Sequence, residues 1–208
     1  MFLRAFRYRS VRAVDAGVER MRSKTLPAWE ALRGYRMSCV VHAPETEELT
    51  VLVFWGSHED ERAGNQAVPL GHDESVRLWA PETSQVGAFE VAVVVQGASR
   101  PAPGTWVRIT ETERIGQEWM QPYIAGWEAW MVPRIQQMDG FQAGMLPVDR
   151  AAGKAWSMSF WEDKLSLHNR DVALARRRVE AAKQFGFEVA RSTAARVVLT
   201  DMPAVVMV

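Results

Sequence analysis

Pro133-Arg134-Ile135-Gln136-Gln137-Met138-Asp139-Gly140-Phe141, followed further on by Ser159-Phe160-Trp161, decides how this chain is read, because its landmarks have already occurred once. Pro27, Gly34, Tyr35, Phe54 and Trp55 return as Pro133, Gly140, Phe141, Phe160 and Trp161, each displaced by 106 positions. A constant offset across separate landmarks means that the Gly-to-Trp stretch has one length in both copies. That is the mark of an internal repeat. Each half is then one supersecondary unit packed on its own copy, with repeats expected over residues 1–96 and 105–208.

Working outward, each half reads strand, helix, strand, strand, helix, strand. In the first, Phe2, Arg4, Phe6 and Tyr8 alternate with Leu3, Ala5, Arg7 and Arg9, a period of two rich in aromatics. Val14 to Leu32 follows at helical spacing and stops at Gly34. The runs 35–42 and 49–55 are joined by a hairpin signal at 43–48. Two short helices and a strand over Phe89–Val95 complete the half. A Pro/Gly/Ser-rich stretch over 96–104 marks the boundary. The second half repeats the order: strand Trp106–Ile115, helix Gln117–Met138, hairpin strands Phe141–Pro147 and Lys154–Trp161, helix Asp171–Phe185, strand Ala194–Thr200. The apolar tail from Met202 is expected to dock as an extra strand.

A β-α-β-β-α-β unit makes a four-stranded antiparallel sheet with both helices on one face. Leu3 and Ala5 on one side of a strand, with Phe2 and Phe6 on the other, ask for burial of both faces. The duplicate half is the obvious cover.

Composition narrows the function classes. Lys and Arg total 25 and Asp and Glu total 25, a net charge of +0 that argues against an electrostatic nucleic-acid binder. The local excess Arg4, Arg7, Arg9 and Arg12 reads as an exposed strand edge. Cys39 is the only cysteine, so no disulfide forms within the chain, and its apolar neighbours make it a small core residue. No run is long and apolar enough for a bilayer, and the opening residues lack the layout of a secretory signal, so no membrane is expected and the cytoplasm is the expected compartment.

The sequence Met138-Asp139-Gly140-Phe141, and a hairpin whose second strand closes on Ser159-Phe160-Trp161-Glu162-Asp163 before a helix, resembles the dimeric α+β barrel superfamily, antibiotic-biosynthesis-monooxygenase-like branch. The resemblance implies an α+β fold: tandem ferredoxin-like repeats packed sheet to sheet as a barrel, here within one chain. It implies cofactor-independent oxygenase, haem-degrading, isomerase or non-catalytic activity, since the fold alone does not choose. The haem-degrading branch uses an Asn on the first strand and a Trp and a His on the second helix. Neither first strand here has an Asn, and the helix expected over Asp171–Phe185 has neither Trp nor His, which disfavours haem degradation.

Trp55 and Trp161 close the strand-to-helix corner, either as packing or as platforms for a planar ligand. On their strand face, Val51 and Val53 of the first half become Ser157 and Ser159 in the second. Buried hydroxyls need partners, so the first half reads as packing and the second as a pocket. The helix from Gln117 carries Trp119, Tyr123, Trp127 and Trp130 on one stripe and Met120, Ile124, Met131 and Met138 on the next. Apolar character that far round a helix implies a thick core, a subunit interface, or a cavity beside it. His168, in the break before Asp171, is a candidate base at the pocket mouth, with an exposed cap histidine as the competing reading. Arg108 on the adjacent strand is a candidate anion partner. Arg176, Arg177 and Arg178 read as a solvated face, with Val172, Leu174, Ala175, Val179 and Ala182 turned inward.

His42, His58 and His72 show no metal-ligand spacing, and no nucleotide or nucleophile-elbow motif occurs, so neither a metal nor a cofactor is expected. Two readings follow. One is a cofactor-independent monooxygenase-like enzyme acting on a planar aromatic or polyketide-like molecule, with His168 catalytic and Trp161, Ser157, Ser159, Arg108 and Trp127 holding the substrate. The other is a non-catalytic barrel that binds a hydrophobic small molecule or a protein partner. Both are compatible with a homodimer.

Overall fold

The structure, a computed structural model, describes residues 1–70 and 73–203. His72 and most of the tail expected to dock as a strand lie outside the described residues. Of that tail, Met202 is buried in the barrel interior without joining a ladder.

The first half runs β1 (Phe2–Arg9), α1 (Val14–Arg20), α2 (Leu26–Glu30), β2 (Tyr35–Ala43), β3 (Glu48–Trp55), α3 (His58–Ala67), α4 (Glu74–Trp79) and β4 (Thr83–Gln96). The second runs β5 (Trp106–Glu113), α5 (Gln117–Gly126), α6 (Val132–Ile135), β6 (Phe141–Asp149), β7 (Lys154–Trp161), α7 (Lys164–Phe185) and β8 (Glu188–Thr200). The long first helix expected in each half is interrupted by a π turn, Met21–Thr25 in one copy and Trp127–Met131 in the other. The repeated proline explains both. Pro27 and Pro133 have no N–H and crowd the carbonyl one turn back, so the ladder widens: Leu26 N–H reaches Met21 O, and Val132 N–H reaches Trp127 O. Each helix ends ahead of a glycine at positive φ, Gly34 at 77° and Gly140 at 76°.

The four strands of each half order as in a ferredoxin-like unit, and the two sheets close into one barrel, β1-β3-β2-β8-β5-β7-β6-β4. The seams are β2 with β8 and β4 with β6, both antiparallel. Both final strands, β4 and β8, extend upstream of their apolar stretches, because main-chain pairing with β1 and β5 does not require apolar side chains.

Closure leaves no edge among these strands. The arginine-rich β1 is not an exposed edge, as its charge had suggested, because it lies between β3 and β4 within its own half. Arg7 is buried and pairs with Glu48 and Glu111, while Arg4 pairs with the buried Glu61.

Alternation divides the apolar residues into three clusters. Leu52, Phe54, Val107, Met145, Met158 and Phe160 belong to the barrel interior, to which both halves contribute. Phe6, Tyr8, Trp29, Val51, Val53 and Trp79 pack between the first half's sheet and its helices. Tyr123, Trp127, Phe141, Trp161, Leu174 and Phe187 do the same in the second half. Burying both sheet faces is what makes near-continuous apolar strands such as β3 stable.

The last helix differs most from its sequence reading. It begins at Lys164, about two turns before Asp171, because the Asp163 carboxylate accepts from Ser166 N–H and caps it there. His168 is thus helical rather than in a break. Leu167, Arg170 and Leu174 form its buried stripe. Val172, Ala175 and Val179, expected inward, are exposed. No helix among the described residues is long and apolar enough to cross a membrane.

Candidate functional site

A cavity of about 350 Å³ lies between the second half's sheet and its helices. Its floor is Thr110 and Thr112 of β5 and Ser157 of β7. Its walls are aromatic, with Tyr123 from α5, Trp127 and Trp130 from the π turn, and Phe185 and Phe187 at the end of α7. The ring of Tyr123 stands edge-on to Phe185 and Phe187, at 6.1 and 5.2 Å between centroids. The π turn widens the helix where Trp127 and Trp130 meet the cavity, a common use of such turns.

The equivalent place in the first half is filled, with about 10 Å³ of free space beside Trp55 and Val53. Strand register shows why. Phe6 pairs with Val51 where Thr110 pairs with Ser157, and Tyr8 pairs with Leu49 where Thr112 pairs with Ala155. Two aromatics and a valine thus become two threonines and a serine on one patch of sheet. The first half adds a plug: Trp79 of α4 is fully buried against Tyr8, 5.5 Å between centroids, with Leu70 also fully buried. In the second half one uninterrupted helix, α7, replaces that broken segment.

The cavity's charge comes from α7. Arg170 is 3% exposed and lines the cavity. Burial pulls its pKa down to about 10, with Asp171 opposing. Asp171 is the carboxylate partner of three guanidinium groups: it accepts from Arg170 Nη1 at 2.7 Å, from Arg178 Nη2 at 3.4 Å, and from Arg108. The cluster therefore carries excess positive charge, and Arg170 Nε is buried with no hydrogen-bond partner among the described residues. At the cavity wall, Glu180 is held below the ordinary carboxylate range by hydrogen bonds from Arg177 and Arg176. The phenol of Tyr123 is pushed up by burial and stays neutral.

Of the residues singled out in the sequence, Trp127 and Ser157 line the cavity together, with Trp127 Nε1–H donating to Ser157 Oγ at 3.3 Å. Trp161 and Ser159 satisfy each other, Nε1–H to Oγ at 3.0 Å, and are buried beside the cavity rather than on its lining. Trp161 sits edge-on to Phe141, as Trp55 does to Tyr35. Arg108 and His168 are brought together elsewhere, in a polar groove on the β2–β8 seam.

Sequence reasoning missed Arg170, Thr110 and Thr112. The spacing of Leu167, Arg170 and Leu174 was the available signal, since it sets an arginine on a buried helical stripe. Arg177 and Arg178, read as solvated, reach the cavity, whereas Arg176 remains in water.

No family model matches the chain. An uncharacterized protein of Mycobacterium tuberculosis is 23% identical over 163 residues, covering 78% of this chain and 71% of the relative. Among solved structures, a candidate monooxygenase from Fusobacterium nucleatum aligns with TM-score 0.70 at 13% identity, over 96% of this chain and 93% of that one. An anthrone oxidase-like protein aligns with TM-score 0.66 at 13% identity, over 96% and 92%. The chain has the dimeric α+β barrel fold. At these identities the likeness concerns the fold.

Haem does not suit the residues present. Strands β1 and β5 hold no Asn and α7 holds no Trp. With α7 starting earlier than the sequence suggested, the helix does carry His168, but that histidine lines the seam groove, and among the described residues the cavity lining has no histidine or cysteine. No group of His, Cys, Asp and Glu suited to a metal occurs among the described residues.

Proposed function

We propose that the protein is an oxygenase that binds a planar, ionisable aromatic molecule in the second-half cavity and lets the substrate's own anion reduce oxygen. The observation that carries this reading is Arg170, a buried guanidinium in a cluster of excess positive charge, at the edge of an aromatic-walled cavity with a hydroxyl floor. Aromatic walls accept a flat ring, hydroxyls orient it, and a cation in a low-dielectric site favours its ionised form.

The chemistry suits a phenol conjugated to an activated methylene, as in an anthrone. Ionised, such a molecule passes an electron to oxygen, and a carbon–oxygen bond forms at the methylene carbon. The hydroperoxide then loses water, leaving a carbonyl. One oxygen atom ends in the product and the other in water, with both methylene hydrogens accounted for. Glu180 is kept ionised by its arginines and is a weak base, so the cavity's part is to select and orient the anion. The fold likeness to an anthrone oxidase-like protein supports this substrate class.

An oxygen electrode tests the reading. With anthrones or hydroquinones the protein should take up oxygen faster than the spontaneous reaction, and Arg170→Met should slow uptake roughly a hundredfold, the scale of removing one electrostatic stabiliser. Uptake at the spontaneous rate across such substrates overturns it.

A second reading, ligand binding without chemistry, is favoured by the lack of a histidine or an elevated carboxylate around the cavity. Saturable quenching of tryptophan fluorescence by aromatic ligands, with no oxygen uptake, would select it.

A further inference from the structure

The groove that holds Arg108 and His168 is distinct from the cavity and has a chemistry of its own. We propose that it is a second ligand site, for a small anion bearing a carboxylate or phosphate group. It measures about 310 Å³ and lies on the β2–β8 seam. Glu45 and Thr46 reach it from the hairpin of the first half. Arg108 of β5, Arg191 of β8, and Lys164 and His168 from the first turns of α7 reach it from the second. Neither half forms it alone.

Three cations, Arg108, Lys164 and Arg191, face one carboxylate in that lining, Glu45. The two arginines have carboxylate partners outside it, but these are shared. Asp171 serves Arg108, Arg170 and Arg178. Glu48 serves Arg191, Arg7 and Arg9. A guanidinium carries five N–H donors, and here some have no acceptor among the described residues: Arg108 Nε and Arg191 Nη1 are buried without a hydrogen-bond partner there. Buried donors left unmade are costly, and an oxyanion in the groove would supply acceptors once these two guanidinium groups turn toward it.

The third cation is the adjustable one. The Lys164–Glu45 pair, at 3.1 Å, is solvent-exposed on both sides, so it is worth little and opens readily. The groove also receives the N-terminal turns of the 22-residue α7, whose dipole favours negative charge. The mixed lining, with no aromatic wall, sets it apart from the cavity and fits a compact polar ligand. This inference is independent of what the cavity binds.

The test is titration of the full chain with sodium phosphate and, separately, sodium acetate, with sodium chloride at matched ionic strength as reference. Melting temperature and calorimetric heat are read together with tryptophan fluorescence, to which Trp106 contributes, its ring lying 5.1 Å from Lys164 Nζ. Phosphate, acetate or both should bind saturably, in the millimolar range for so few contacts, and chloride should not. Whichever anion binds names the group recognised. Lys164→Gln with Arg191→Gln should weaken binding about tenfold or more, as loss of charge-assisted bonds requires. Arg177→Gln, which alters the cavity only, should bind like the parent. Lys164→Gln alone changes an exposed side chain, keeps the fold, and should weaken binding by itself. No saturable binding by either anion overturns the proposal, as does unchanged binding in the double variant or loss of binding in Arg177→Gln.

Discussion

Arg7 and Glu111 occupy the same register position in the two halves, and they meet: Arg7 Nη2 donates to Glu111 Oε1 at 2.5 Å. Arg7 pairs with Thr50 on β3 where Glu111 pairs with Trp156 on β7, so an internal repeat has placed opposite charges at one site in its two copies. The guanidinium also lies 4.9 Å from the Trp156 ring, against the barrel interior. Once the sheets pack face to face, like charges here would repel at close range, and one copy of each sign resolves that.

Removing one partner should therefore cost more than removing both. Glu111→Ala leaves Arg7 to share Glu48 with Arg9 and Arg191, and should destabilise by about 3 kcal/mol, the lower end for a buried pair. Arg7→Met combined with Glu111→Leu should recover most of that loss. Urea unfolding of the parent, the single variants Arg7→Met and Glu111→Leu and the double variant gives the coupling energy, and an additive result would refute it.

Restoring the first half's residues should close the cavity. Thr110→Phe places on β5 the side chain that Phe6 provides on β1, over a space of about 350 Å³. The variant should keep or gain about 1 kcal/mol of stability, as cavity-filling changes do, while losing aromatic ligand binding. Fluorescence quenching and a melting curve on one preparation check both halves of the statement.

Arg170 should lower the pKa of a phenol bound beside it, because a cation at hydrogen-bond range favours the ionised form. In Arg170→Met the bound phenol should titrate about one unit higher than in the parent, and oxygen uptake should need a correspondingly more alkaline solution. Ultraviolet absorbance of the bound phenolate measures the shift directly. Because Asp171 keeps Arg108 and Arg178 as partners, the variant should fold.

Cys39 should be inert in the folded protein. Burial pushes its thiol up to about 12, so almost no thiolate exists at neutral pH, and the side chain is fully buried. Iodoacetamide at pH 8 should label it only after denaturant is added. Labelling of the native protein at the rate of a free thiol would show that the barrel interior opens.

Much of this architecture was legible because its cause is local or repeated. Gly34 and Gly140 must end a helix, alternation in Phe2–Arg9 must make a strand, and a constant offset must make two like units. The exchange of Val51 and Val53 for Ser157 and Ser159 also pointed to the half that carries the cavity. Less legible were the places where position depends on a partner far along the chain. The arginines of β1 read as an edge because the acids that partner them, Glu48, Glu61 and Glu111, lie far along the chain. Arg170 was passed over because it falls in the break expected before Asp171, and only the extension of the helix back to Lys164 sets it beside Asp171 and the cavity.

The sequence by itself determined the two α+β units, their order of elements and their likeness, since capping, turns and side-chain periodicity act over a few residues. It also determined that the copies differ in polarity on one strand face. Only the tertiary structure decided that β2 meets β8 and β4 meets β6, that Ser157 is joined by Thr110, Thr112, Trp127 and Arg170, and that Arg108 and His168 belong to a separate groove. The physical reason is the same throughout. Closing a barrel satisfies the edge strands of both halves at once, and that closure fixes which side chains share a space.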